Sequence, residues 1–196
     1  MKSNGKKIKI SFNSPVILGF TLICFAALIL SYVTNGASNN AIFSVYRSSL
    51  FSPLTYVRLV GHIFGHAGWE HFIGNIMLIL VVGPLLEEKY GSLNMVFVIL
   101  ATALVTGIAN CMLFSNVQLL GASGVVFALI LLSSFTSIKE GRIPLTFILV
   151  AVIYIGKQVY DGLFVMDNVS NLTHILGGIV GASLGYMMNR NKMSRY

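Results

Sequence analysis

A serine set between glycines opens an apolar run, Gly121-Ala122-Ser123-Gly124-Val125-Val126-Phe127. A hydroxyl at the start of a helix lies beside free backbone N–H groups and the positive end of the helix dipole. Gly121 and Gly124 leave room there for a close partner. Such a serine can serve as a nucleophile, and the N–H groups can hold the oxyanion it creates. The same position equally suits an N-cap serine, so the residue alone does not decide. Two more polar sites lie in apolar runs. His71 and Asn75 are four residues apart and stack on one helical face, in a stretch that also holds His62, His66 and Glu70. His174 stands alone in Asn171-Leu172-Thr173-His174. Ionisable and amide groups inside apolar spans are costly and mark functional candidates, although a lone histidine is more often a satisfied structural group.

The elements that must position these groups are membrane spans. The chain has 196 residues, 56% hydrophobic and only 10% charged, whereas soluble domains carry about 25% charged residues. The net charge of +7 sits at the chain ends and in loops, not interleaved with aromatics, which argues against nucleic acid and for the positive-inside rule. Apolar runs cover about 15–33, 63–86, 93–114, 121–137, 144–160 and 169–188, each near the ~20 residues a helical span needs. The fourth is short. These predict an all-α six-span domain over 15–190, with basic tails at 1–14 and 191–196. A signal peptide is the lesser reading of the first run, because five more runs follow it. The stretch 34–61 reads as an interfacial loop with short helical pieces. Lysine and arginine place both termini on the cytoplasmic side of a cell membrane; only Arg47, Arg58 and Lys157 fall elsewhere. Cys24 and Cys111 have no ligand or disulfide spacing and read as small core residues.

Depth and packing bring the polar groups together. Ser123 to Lys139, His174 to Arg190 and His71 to Glu87 are each 16 residues. On three helices running inward, all three groups then lie about 24 Å from the inner face, a little below the outer surface of a layer roughly 30 Å thick. Gly177, Gly181 and Gly185 follow His174 as a small-residue stripe, which permits close approach of another helix. Packed against Gly121, Gly124 and Ala128, that stripe brings Ser123 and His174 within hydrogen-bond reach. An isolated stripe of this kind is otherwise a dimerisation face.

Gly-Ala-Ser-Gly at the head of one helix, His174 followed by glycines in the last, and His66-x4-His71-x3-Asn75 in the second resemble the rhomboid intramembrane serine proteases. The resemblance covers nearly the whole chain, in the six-helix form typical of bacterial members. It implies Ser123 as nucleophile and His174 as general base, with no acidic third member. It implies an oxyanion hole of His71, Asn75 and the Ser123 backbone N–H. Gly121 matches the glycine before the nucleophile, His66 a structural histidine at the loop-to-helix corner, and Glu87 a glutamate that hydrogen-bonds across helices. Arg58 matches the arginine of a Trp-Arg pair, with Val57 in place of the tryptophan. Phe127 stands where many members have tyrosine and can still stack on His174.

The expected activity is hydrolysis of a peptide bond near the outer end of a substrate's transmembrane helix, by a Ser-His dyad without cofactor. The partners are transmembrane proteins and the bilayer, with no nucleic acid and no readable oligomeric state. The fifth span and the loop at about 114–120 are the expected gates. A zinc protease is disfavoured, because His66, Glu70 and His71 lack the spacing of HExxH or its inverse. The remaining alternative is a rhomboid-like protein that binds membrane clients without cleaving them; such relatives usually lack the serine or the histidine, and both are present here.

Overall fold

The computed structural model describes residues 13–135 and 168–193, with isolated positions 145, 148–149, 152–153 and 156 between them. The expected fifth span, 144–160, therefore lies almost wholly outside the described residues, as do the tails. Among the described residues the fold is helical, with one isolated antiparallel bridge between Val45 and Leu119. The helices are α1 (Pro15–Val33), α2 (Pro53–Gly61), α3 (Trp69–Tyr90), α4 (Ser92–Leu113), α5 (Ser123–Phe135) and α6 (Asn168–Met193); a short π-helical turn covers Asn39–Phe43.

Three of these, α1, α3 and α4, are long and apolar enough to cross a bilayer. Their outward faces are apolar too. Leu22, Val33, Met77, Val81, Leu85 and Phe97 are all exposed, as suits helices that meet lipid. The protein is a multi-pass membrane protein. Inward, Ile17, Leu28, Ile79, Leu86, Met95, Leu129 and Leu132 form one buried core drawn from α1, α3, α4 and α5.

The sequence run 63–86 is not helical from its first residue. Residues 63–68 form the corner between α2 and α3, and the helix starts at Trp69. Gly65 sits in that corner because a side chain there would strike the Phe43 carbonyl. At its other end α3 runs on to Tyr90, and Gly91 alone separates it from α4, with the positive φ of 86° that glycine tolerates. Glu87 lies one turn before this hairpin. Its carboxylate accepts the Val16 and Ile17 N–H groups at 3.0 and 2.9 Å and the Ser92 hydroxyl at 2.6 Å. It thus caps the start of α1, where Ser14 makes no side-chain cap.

Among the described helices α5 and α6 are the most closely packed pair. A Cβ added at Gly177 would overlap the Gly124 carbonyl, and one at Gly181 would overlap the Ala128 carbonyl. Backbone therefore meets backbone at two successive turns, the contact expected of the glycine stripe. The last helix extends beyond residue 188, where Asn189 donates to the Gly185 carbonyl at 2.7 Å and to the Tyr90 hydroxyl at 2.6 Å.

Candidate active site

Ser123 is the first helical residue of α5, not its N-cap. The Ala122 carbonyl accepts the Val126 N–H at 3.0 Å, so Ala122 occupies the cap position. The Ser123 hydroxyl is thus not spent on capping its own helix, and its backbone N–H is one of those a helix start leaves unpaired. The preceding turn is built by Gly121, whose φ of +133° is closed to other residues in practice. The Gly121 N–H donates to the His62 carbonyl at 2.9 Å, tying the head of α5 to the end of α2.

Ser123, His174, His71 and Asn75 line one cavity of about 280 Å³. Glu70 and Gly74 of α3, with Leu119 and Leu120 of the loop before α5, complete its wall. Ser123 and His174 are both half-buried. Phe127, one turn below Ser123, lies parallel to the His174 ring, 4.4 Å between centroids and 7° between planes. An aromatic floor at that spacing fixes the tilt of the imidazole.

The orientation of His71 follows from its neighbours. The Ala67 N–H faces its Nδ1 at 3.4 Å, so Nδ1 accepts and the proton of the neutral ring sits on Nε2. That Nε2 edge lies against Gly121; a Cβ on Gly121 would come within 2.8 Å of it. The Cε1–Nε2 edge of His71 therefore lies beside the backbone two residues before Ser123. Asn75 is buried, and its amide nitrogen donates to the His71 carbonyl at 3.0 Å.

His66 does not line this cavity. It fills the α2–α3 corner, edge-on to His71 at 5.1 Å and to Phe72 at 5.4 Å. Its Nδ1 donates to the Phe64 carbonyl at 3.1 Å, and its Nε2 is buried with no hydrogen-bond partner among the described residues. Burial, reinforced by the nearby His71, pushes its pKa down to about 4. His62 shares the corner, 3.2 Å from both the Arg58 carbonyl and the Thr106 hydroxyl, and burial pushes its pKa down to about 4 as well. Arg58 is buried; its Nε donates to the Ala41 carbonyl at 2.9 Å and its guanidinium lies 4.5 Å above the Tyr46 ring. His66, Arg58 and Glu87 thus hold the scaffold, and Gly124, Gly177 and Gly181 hold the two site helices together. Among the described residues no three His, Cys, Asp or Glu side chains are grouped to hold a metal ion.

The 114–120 loop, one of the two expected gates, is anchored. Val45 and Leu119 exchange N–H···O bonds of 2.8 and 2.9 Å, and the Asn110 side chain donates to the Val45 and Val117 carbonyls at 3.0 and 3.2 Å. Asn110 escaped the sequence reading. It is an amide within an apolar run, and the rule that singles out Asn75 singles it out too.

A multi-pass helical membrane protein with a serine and a histidine lining one cavity is a recognisable class. Residues 53–191 match the rhomboid domain family, and the chain belongs to that family. It is 33% identical to Rhomboid-related protein 2 of Mus musculus over 158 residues, which is 70% of this chain and 52% of that protein. It is 28% identical to Rhomboid protease GluP of Bacillus subtilis over 174 residues, 83% of this chain and 33% of the relative. It is 26% identical to Rhomboid protease GlpG of Yersinia enterocolitica over 181 residues, 90% of this chain and 64% of the relative. The chain spans less than two thirds of the length of each of these curated relatives.

Proposed function

We propose that this protein is an intramembrane serine endopeptidase that cleaves transmembrane segments near their outer ends. The observation that carries the reading is the cavity shared by Ser123, His174, His71 and Asn75, with Phe127 stacked beneath the histidine. Kinship with two proteins named as rhomboid proteases supports it.

In this reading His174 takes the Ser123 proton as the hydroxyl oxygen attacks the substrate carbonyl carbon, since a neutral serine is a poor nucleophile until a base acts on it. The carbonyl oxygen becomes an oxyanion. The His71 Nε2–H, the Asn75 amide and the Ser123 backbone N–H donate to it, and one such preorganised donor is worth about 2.7–4 kcal/mol. The tetrahedral adduct collapses, the C–N bond breaks, and His174 returns its proton to the leaving amine. A water molecule, deprotonated by His174, then hydrolyses the acyl-serine. A helical substrate must unwind locally first, since its peptide carbonyls are otherwise engaged along the helix. Six spans with both termini in the cytoplasm put the cavity just below the outer surface.

Purified protein in proteoliposomes is expected to cleave a transmembrane substrate and to react with a fluorophosphonate at Ser123, and the Ser123→Ala variant to do neither. Undiminished cleavage by Ser123→Ala would overturn the proposal.

A further inference from the structure

The described wall of the cavity carries one formal charge. Glu70 lines it one residue before His71. Successive helical residues lie about 100° apart, so Glu70 and Gly74 form the face beside that of His71 and Asn75. Gly74 makes this face a shelf: a Cβ added there would meet nothing within 4 Å. Glu70 stands exposed at the outer end of the shelf, and among the described residues no hydrogen bond or ion pair engages its carboxylate. The two arginines of the preceding segment are turned to other partners. Arg47 donates to the Cys111 and Met112 carbonyls at 2.8 and 2.6 Å, and Arg58 is held by Ala41 and Tyr46.

We propose that Glu70 selects substrates with a lysine or arginine within about three residues of the cleaved bond. The proposal rests on the protease reading above. An extended strand advances about 3.3 Å per residue, and Glu70 is one residue, about 1.5 Å of helix rise, from His71. A side chain one to three residues from a carbonyl held beside His71 therefore comes opposite the carboxylate. The plainer role for an acidic residue in a first helical turn is to complement the helix dipole. That role predicts a stability effect and no charge preference.

The test is a transmembrane substrate scanned with single Lys, Gln or Glu substitutions over three positions on each side of the cleaved bond, in proteoliposomes. At one position the wild type is expected to prefer Lys over Glu by about fivefold in kcat/KM, the upper end for an exposed ion pair. The preference should reside in KM and shrink with added salt. Glu70→Gln should bring the ratio close to one, Glu70→Asp should keep part of it, and Glu70→Lys should invert it. Cleavage by the wild type with no Lys preference, or with the same preference in Glu70→Gln, overturns the role of Glu70 and leaves the protease reading intact. Fluorescence anisotropy of the same peptides bound to Ser123→Ala separates the two in the other direction. Lys-selective binding that a further Glu70→Gln change abolishes, together with a wild type that cleaves none of these substrates, would sustain Glu70 and sink the protease reading.

Discussion

Gly121→Ala tests the site at its tightest point, where one methyl group meets two constraints. The backbone φ of +133° lies in a region essentially reserved for glycine, and forcing another residue into it costs about 1–3 kcal/mol. The new Cβ would also lie 2.8 Å from both Cε1 and Nε2 of His71, against the 3.4 Å at which ordinary contact begins. The imidazole must retreat by about 0.6 Å, the difference of those distances, or the turn must open. Either movement displaces the proposed Nε2–H donor from the oxyanion. Loss of one such donor lowers kcat by about 10²–10³. The variant is therefore expected to unfold at lower temperature in detergent and to lose about two orders of magnitude in kcat on a reconstituted transmembrane substrate. The decisive measurement is the double variant with His71→Ala. If Gly121→Ala acts through the imidazole, its effect on kcat should largely vanish when the ring is absent, while its effect on stability remains. Equal kcat losses in both backgrounds, or a single variant with wild-type kcat, would refute the coupling of Gly121 to His71.

Glu87→Ala removes the acceptor for two N–H groups at the start of α1 and for the Ser92 hydroxyl; loss of a helix cap costs about 0.5–2 kcal/mol. A lower Tm with kcat per folded molecule unchanged is expected, and an unchanged Tm would contradict the capping role. Stability should also fall with pH in a definite window. His62 and His66, in the corner outside the spanning helices, have pKa values pushed down to about 4, below the ordinary 6.5. As pH falls from about 6.5 to 4 the unfolded chain takes up protons that the native fold refuses, so each histidine removes up to about 1.4 kcal/mol per pH unit. Thermal unfolding across that range should show a falling Tm with a shallower slope in His62→Gln. The same slope in the variant would exclude His62 as a source.

The sites differ in how far they could be read ahead of the fold. Ser123, His71, Asn75 and His174 stood out because polar groups are rare in apolar runs, and a constant 16-residue spacing put three of them at one level. Asn110 was missed although the same rule applies to it. The start of α3 was misjudged because apolar content continues through 63–68, while the backbone turns there to let Gly65 pass beneath Phe43. Hydropathy responds to burial in lipid or protein alike and does not see such a corner. The loop before α5 read as a possible gate because it lacks charge; its anchoring depends on Val45, more than sixty residues away, and local composition carries no trace of that pairing.

Period, charge asymmetry and the scarcity of polar groups determined that this chain is helical, embedded in lipid, and equipped with a serine and a histidine worth watching. Each of these is a property of single residues or of one helix and needs no knowledge of neighbours. The tertiary structure alone decided that Ser123 heads its helix without capping it, that His71 turns its Cε1–Nε2 edge toward Gly121, and that Glu70 shares the cavity wall. The relations of His71 and Glu70 join residues from elements far apart in the chain. They exist because α5 and α6 touch backbone to backbone and α3 packs beside α5.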